Sequence, residues 1–150
     1  MWSQVSSAQE QAQTTAKEVA CPHVLLVDDD NLCRAAYEAA LVKAGCLVTA
    51  VKDGQEALVR CATETFDVIV CDVFMPTVDG FEVLRHLTGG SSRTPVLMMS
   101  SGGTANFVDL LRSAVLLGAR CGLVKPFQPE RLVDTIRHFV KLEPAATVAA

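Results

Sequence analysis

The sequence is poor in aromatic residues, which make up 5% of the chain, with one tryptophan and one tyrosine. Half of the residues are hydrophobic, so a core must be built from aliphatic side chains. No run approaches the ~18 apolar residues that span a membrane, and the N-terminus lacks an apolar signal core. The net charge is −4 and no basic stripe is present. We expect a cytoplasmic protein that binds neither membrane nor nucleic acid.

The cysteines lack the Cys-x-x-Cys spacing of metal and redox sites, and most lie in apolar runs. We expect free thiols that act as small hydrophobic residues in a reducing compartment. A chain of 150 residues is about one domain. Residues 1–20 are rich in Gln, Ser, Ala and Thr, which predicts a flexible N-terminal extension. The folded domain is predicted over residues 21–143, followed by a small-residue tail at 144–150.

The most informative stretch is an apolar run, Val68 to Cys71, that ends in the carboxylate Asp72. Turn-forming residues follow at once: Pro76, Asp79 and Gly80. A short apolar run bounded by turn signals is typical of a buried strand in a parallel sheet. Ligands of such sheets bind at the carboxyl edge, so Asp72 is the predicted functional centre.

Strand and helix patterns alternate five times along the chain. The predicted strands cover 23–27, 46–51, 68–71, 95–99 and 121–124. The predicted helices cover 31–44, 55–62, 80–87, 105–117 and a last segment from Pro129 to Pro144. This alternation predicts an α/β fold. We expect a single doubly wound, five-stranded parallel sheet in the flavodoxin-like order 2-1-3-4-5, with helices on both faces.

Helical periodicity also predicts which helix faces are buried. For the first helix, whose predicted N-cap is Asp30 and whose end signal is Gly45, the predicted face is Leu32, Ala35, Ala39 and Val42. For the last helix it is Leu132, Ile136, Phe139 and Val140. The fourth helix is apolar almost all round, which predicts an apolar surface for a partner or a second copy. The alternative is that its own loop or residues 1–20 cover this surface.

Polar residues from four strands should gather at the carboxyl edge of the sheet. They are Asp28, Asp29, Asp72, Ser100 and Lys125. Taken singly, each has an ordinary structural explanation as a cap, a turn or a surface residue. Taken together, the carboxylates repel one another and call for a cation. Mg2+ suits oxygen ligands, and a carboxylate can accept a phosphoryl group.

These residues and their surroundings resemble the receiver domain of bacterial response regulators. The resemblance is carried by Leu-Val-Asp-Asp-Asp at 26–30, Val-Cys-Asp-Val-Phe-Met-Pro at 70–76 with Asp79-Gly80, Pro95 through Ser100, Gly118-Ala119 and Lys125-Pro126-Phe127. It covers about residues 22–142, so that residues 21–143 would form the receiver domain.

The resemblance implies a role for each residue at the edge. Asp72 would be the phosphoacceptor, and Ser100 and Lys125 would contact the phosphoryl group. An Mg2+ site would be formed by Asp28, Asp29, Asp72 and the backbone carbonyl of Phe74, with Asp29 direct and Asp28 mostly through water. The donor would be a phosphohistidine on a histidine kinase or a histidine phosphotransfer protein.

The same resemblance implies a signalling protein that is not an enzyme. No output domain fits after Pro144, which predicts a stand-alone receiver acting through protein contacts at the helix 4 and strand 5 face, on a downstream target or as a homodimer. Phosphatases of the haloacid dehalogenase type need a second Asp where Phe74 stands. A flavin or nucleotide binder needs a Gly-rich loop after strand 1. A phosphorylation-independent binding module is the remaining alternative.

Three departures from the family pattern affect these expectations. Gly122 stands where the family usually has Tyr or Phe, so an aromatic switch coupled to Ser100 is excluded. The segment from Ser100 to Lys125 is a few residues longer than usual and contains Gly102-Gly103. Phe74 occupies a position that is often polar, which predicts hindered access of water and a longer-lived phosphorylated state.

Overall fold

The computed structural model describes residues 21–101 and 107–142, in which five strands alternate with five helices. The strands are β1 (His23–Val27), β2 (Leu47–Val51), β3 (Val68–Asp72), β4 (Val96–Ser101) and β5 (Cys121–Lys125). The helices are α1 (Asn31–Lys43), α2 (Gly54–Thr63), α3 (Gly80–Thr88), α4 (Phe107–Leu116) and α5 (Pro129–Ile136). The predicted N-terminal extension, C-terminal tail and Gly102-Gly103 turn lie outside the described residues.

The five strands form one parallel sheet in the order β2-β1-β3-β4-β5, which confirms the predicted topology. The register pairs Val27 with Cys71 and Ser101 with Lys125. The carboxyl ends of β1, β3, β4 and β5 therefore meet at one edge. This is the flavodoxin-like order, in which the switch point lies between β1 and β3.

Helices cover both faces of the sheet, as predicted. Alternate residues of β1 point to opposite layers: Val24 and Leu26 pack with α1 and α5, whereas Leu25 and Val27 pack with α2, α3 and α4. The buried hydrophobic set of the described residues contains only two rings, Tyr37 and Phe66. An aliphatic core buried on both sides is what allows polar residues to be confined to the strand ends.

The predicted buried face of α1 is wrong. Leu32 and Val42 are 83% and 55% exposed, and Ala35 and Ala39 are exposed as well. The face that packs on the sheet is instead Cys33, Tyr37, Ala40, Leu41 and Ala44. Both sets recur at helical spacing, so periodicity alone does not fix the rotation of the helix. The set containing Tyr37 and Leu41 buries more apolar area, which decides the outcome.

The ends of α1 agree with the predicted signals. The carboxylate of Asp30 accepts hydrogen bonds from the backbone N–H groups of Leu32 (2.9 Å) and Cys33 (3.1 Å). Gly45, with φ of 99°, follows the last turn in the left-handed conformation that glycine adopts without strain. The N-cap holds the acidic loop between β1 and α1 in place.

Other boundaries differ by one or two residues, except at the last helix. There α5 ends at Ile136 and a turn follows, so Phe139 and Val140 pack against the same core layer from outside the helix. Strands β4 and β5 extend to Ser101 and Lys125. No disulfide bond forms between the cysteines of the described chain. None of the described helices is long and apolar enough to cross a membrane.

Gly80, the first residue of α3, lies against the end of β3. A Cβ atom there would stand 2.2 Å from the backbone oxygen of Asp72 and 2.8 Å from the Cα of Val73. We expect Gly80→Ala to lower the free energy of unfolding by about 1–3 kcal/mol, since backbone atoms must move. Urea denaturation measures this. Gly90→Ala is the control, because its nearest contact would be 3.8 Å. Equal stability of the two variants would contradict the prediction.

Candidate functional site

Three carboxylates meet where β1 and β3 end. Asp28 follows the last residue of β1, and Asp72 closes the neighbouring strand β3. Carboxylate oxygens of Asp28, Asp29 and Asp72 all lie within 4.8 Å of one another. Asp28 and Asp72 are 0% and 4% exposed, whereas Asp29 is exposed. The predicted cluster is therefore present, with two of its members buried.

Lys125, at the end of β5, is the cation of this cluster. Its Nζ donates to Asp28 Oδ2 at 2.6 Å and to Asp72 Oδ2 at 2.9 Å. The ammonium group also lies 5.8 Å from the centre of the Tyr37 ring. Burial alone would lower the pKa of Lys125, but the hydrogen bonds to the two carboxylates raise it on balance. The side chain therefore stays charged.

Asp72 is the carboxyl group of the cluster whose pKa is raised. Burial raises the pKa of Asp72 to about 6, and the Asp28 charge adds to the rise, while Lys125 opposes it. One oxygen, Oδ2, is held by Lys125. The other, Oδ1, is buried and has no hydrogen-bond partner in the described part of the chain. This carboxylate has one oxygen fixed and one available.

Ser100 reaches the same edge but forms no side-chain hydrogen bond to the charged groups. It lies near the end of β4, is fully buried, and its hydroxyl has no hydrogen-bond partner among the described residues. The next residue, Ser101, is exposed and lines the groove beside Asp72. The structure therefore brings four of the five predicted edge residues into direct proximity and places Ser100 beside them without a hydrogen bond.

An open groove with a volume of about 890 Å3 runs from the acidic cluster along α1 and the loop after β5. Its apolar wall is formed by Leu32, Ala36, Phe74, Pro126 and Phe127. Phe74 is 54% exposed at the mouth of the groove. An exposed apolar wall next to a buried carboxylate is a feature of sites that receive another molecule.

Sequence reasoning missed two residues of the site. Arg34, on α1, donates from Nη1 to the backbone oxygen of Asp28 at 2.8 Å. Tyr37, one turn further on, stacks on Phe127 with ring centres 5.0 Å apart. The available signal was weak: Arg34 is the first basic residue after the acidic run, and Tyr37 is the only tyrosine.

Gly122 faces α4 directly. A Cβ atom at this position would lie 3.0–3.3 Å from three side-chain carbons of Leu111. Leu111 is buried against the sheet. The space beside strand β5 that a side chain at 122 would enter is therefore filled by helix α4.

Comparison with known proteins decides the family. The model of the response regulator receiver domain matches residues 24–137. The chain belongs to the response regulator receiver family. Receivers are signalling domains rather than a family of catalytic enzymes, and they typically bind Mg2+ at an acidic pocket.

Curated relatives and solved structures agree with this assignment. Protein PetR of Rhodobacter capsulatus is 35% identical over 85% of this chain, and the transcriptional regulatory protein FixJ of Bradyrhizobium diazoefficiens is 36% identical over 83%. The chemotaxis response regulator CheY4 of Vibrio cholerae superimposes with a TM-score of 0.73 and 35% identity, over 81% of this chain and 100% of its own.

The chain spans 52% of the length of PetR and 60% of FixJ. The stand-alone character of this receiver therefore stays a prediction.

The acidic cluster of this receiver fits a metal ion. Its donors are carboxylate oxygens, which Mg2+ prefers, and one of them, Asp72 Oδ1, lacks a partner in the described chain. A single ammonium group faces three carboxylates, so negative charge is left over. The residues present are therefore those that would hold Mg2+.

The charge on Asp72 should cost stability in the metal-free receiver. The pKa of Asp72 is higher in the folded state than in the unfolded state. Ionisation of Asp72 therefore lowers the free energy of unfolding as the pH rises from about 4 to about 6. We expect Asp72→Asn to be more stable than the wild type in the presence of a chelator. Its advantage should grow by about 1–2 kcal/mol between pH 4.5 and pH 7.5.

Urea denaturation at the two pH values measures the difference. Asp134→Asn is a suitable control, since Asp134 is an exposed carboxylate on α5 and forms no ion pair within the described chain. An advantage of Asp72→Asn that is the same at both pH values would contradict the prediction.

Proposed function

We propose that this receiver accepts a phosphoryl group on Asp72, from a phosphohistidine partner and with Mg2+, and signals through protein contacts. The observation that carries the proposal is the state of the Asp72 carboxylate. Lys125 holds one of its oxygens, and the other is without a partner in the described chain. Asp28 and Asp29 stand beside it.

The chemistry is an in-line transfer that needs positioning and charge neutralisation. A carboxylate oxygen of Asp72 attacks phosphorus; the P–N bond to the donor histidine breaks as the new P–O bond forms. Lys125, fixed by its ion pairs, supplies a positive charge beside the carboxylate that becomes esterified. Mg2+, when bound, would neutralise charge on the carboxylates and on the phosphoryl oxygens.

The hydrogen bonds suggest how the carboxylates share the metal. Both oxygens of Asp28 are already used, by the backbone N–H of Asp30 (3.0 Å) and by Lys125. Asp29 accepts no hydrogen bond from the described residues and is exposed. This supports direct ligation by Asp29 and Asp72 and a water-mediated role for Asp28. The proposal adds the backbone carbonyl of Phe74 as the further protein ligand.

Ser100 is the remaining residue of the proposed site. Its buried hydroxyl has no partner among the described residues, and such a group is costly unless something satisfies it. A phosphoryl oxygen on Asp72 would be an acceptor for this hydroxyl. The proposal therefore gives Ser100 the hydrogen bond that it lacks without a phosphoryl group.

The deciding test is the intact mass of the protein after incubation with a small acyl phosphate and Mg2+. We expect a single phosphoryl adduct on the wild type. No adduct should form on Asp72→Asn, or on the wild type with a chelator, because nucleophile and cation are then missing. An unmodified wild type, also with a candidate kinase, would instead support a phosphorylation-independent binding module.

The exposed Phe74 side chain should protect the acyl phosphate from water. It stands at the mouth of the groove, two residues after Asp72. We expect Phe74→Asn to shorten the lifetime of the phosphorylated state severalfold, because an amide can admit and orient a water molecule. Loss of the adduct with time, followed by mass spectrometry, measures the rate. An unchanged or longer lifetime would count against this role.

The groove also suggests how the phosphoryl donor docks. Its apolar wall includes Leu32, 83% exposed, and the loop residues Pro126 and Phe127, which line the same groove as Asp72. Burying such side chains favours association. We infer a histidine kinase or histidine phosphotransfer protein as the partner at this groove, and a cytoplasmic location for both.

Helix α4 and strand β5 present a second apolar surface. Leu111 and Ala114 are buried against the sheet, whereas Val115, Leu116 and Leu117 are 48%, 88% and 44% exposed, and Val124 on β5 is 39% exposed. We infer that this α4–β5 surface, made of the four exposed residues, contacts a downstream protein or a second copy of the chain.

A second copy is the version that can be tested at once. We expect the phosphorylated protein to associate, and Leu116→Asp to weaken association about tenfold or more, because a charge would enter the interface. Light scattering with and without the phosphoryl group measures this. Val59→Asp is the control, since Val59 is 58% exposed on α2. A monomer in both states would exclude self-association and leave a different protein as the partner.

A further inference from the structure

Every polar group of Asp28 forms a hydrogen bond. Its backbone N–H donates to Val51 O at 3.2 Å, and its carboxylate accepts from Asp30 N–H and from Lys125. Its backbone oxygen accepts from Arg34 Nη1 at 2.8 Å. Of these four attachments, the bond from Arg34 is the one made by a charged side chain to the main chain. It is also a contact that no sequence motif predicts.

Arg34 is itself held at two points. While Nη1 reaches Asp28 O, Nη2 donates to Asn31 Oδ1 at 2.6 Å. The residue is half-buried and lies on α1, one turn after the N-cap. A planar guanidinium group with two fixed donors has little freedom to turn. Arg34 therefore links α1 to the acidic loop and restrains the position of the loop relative to the helix.

The bond acts on the peptide plane between Asp28 and Asp29. The oxygen that Arg34 holds belongs to this plane, and a peptide unit is rigid. Holding the oxygen restrains this plane, and with it the position of the Asp29 Cα from which the side chain leaves the backbone. Asp29 has no hydrogen-bond partner of its own among the described residues, so its direction depends on the backbone.

We propose that Arg34 is a positioning residue for the Mg2+ site: by holding the Asp28 carbonyl, it keeps the Asp29 carboxylate directed at the cluster with Asp72. This inference rests on the proposed function. Arg34 donates to none of the carboxylate oxygens of Asp28, Asp29 and Asp72; its two bonds go to Asp28 O and Asn31 Oδ1. Its loss should therefore weaken the binding of Mg2+ without removing the chemistry that follows once Mg2+ is bound.

The test compares Arg34→Ala with Arg60→Ala in the full chain. Arg60 is a matched control, because it also lies on a helix and pairs locally, with Glu64 at 3.0 Å, but far from the acidic loop in sequence. Isothermal titration calorimetry gives the Kd of Mg2+ for each protein. The rate of adduct formation over a series of Mg2+ concentrations gives the half-saturating Mg2+ and the maximal rate.

We expect Arg34→Ala to weaken Mg2+ binding about tenfold, as removal of an outer partner of a metal ligand typically does. Half-saturating Mg2+ should rise in parallel, and the maximal rate should stay within about twofold. Arg34→Lys should lose less, since an ammonium can still donate to Asp28 O but lacks the planar fork. Asn31→Ala, which removes only the second anchor, keeps the test available if Arg34→Ala does not fold.

An unchanged Kd in Arg34→Ala, or an equal loss in Arg60→Ala, would overturn the inference while leaving the proposed function intact. A lower maximal rate with unchanged half-saturating Mg2+ would also overturn it. If the wild type neither binds Mg2+ nor forms the adduct, the proposed function fails and the inference fails with it.

Discussion

The ion pairs from one ammonium group to two buried carboxylates are the interaction on which the rest of this site depends. Lys125 holds both Asp28 and Asp72, yet a third carboxylate, Asp29, lies within 4.8 Å of them. One ammonium group thus stands against three carboxylates. Burial and the neighbouring charge leave Asp72 with a pKa of about 6 instead of the ordinary 3.8. The fold keeps a local excess of negative charge that a cation can relieve.

The hydrophobic core on both faces of the sheet offsets the repulsion between these carboxylates. The strands are aliphatic and buried on both sides, so the stability of the domain comes from the two core layers and not from the edge. Register then brings the strand ends together, with β1 beside β3 and Ser101 of β4 beside Lys125 of β5. Gly80 lets α3 begin against the backbone of β3, which packs that strand end firmly. A rigid edge holds the charges at short range.

Much of this could be read from local sequence signals. Apolar runs ending in Asp28, Asp72 and Lys125, with caps and turn residues after them, predict the strands and the edge at which they end. The fivefold alternation of strands and helices predicts the doubly wound order. Two features could not be predicted, for physical reasons. The rotation of α1 was ambiguous because two sets of residues share helical spacing, and only tertiary packing selects the set with Tyr37. The bond from Arg34 ends on a main-chain oxygen, which carries no sequence signature.

The most direct measurement of the central claim is the free energy of unfolding over a series of Mg2+ concentrations. The account holds that the fold keeps mutually repelling carboxylates together as a metal site. If so, the free energy of unfolding should rise by about 1.4 kcal/mol for each tenfold increase of Mg2+ above its Kd. In Asp29→Asn the rise should begin only at much higher Mg2+. A wild-type unfolding free energy that does not depend on Mg2+ would contradict the account.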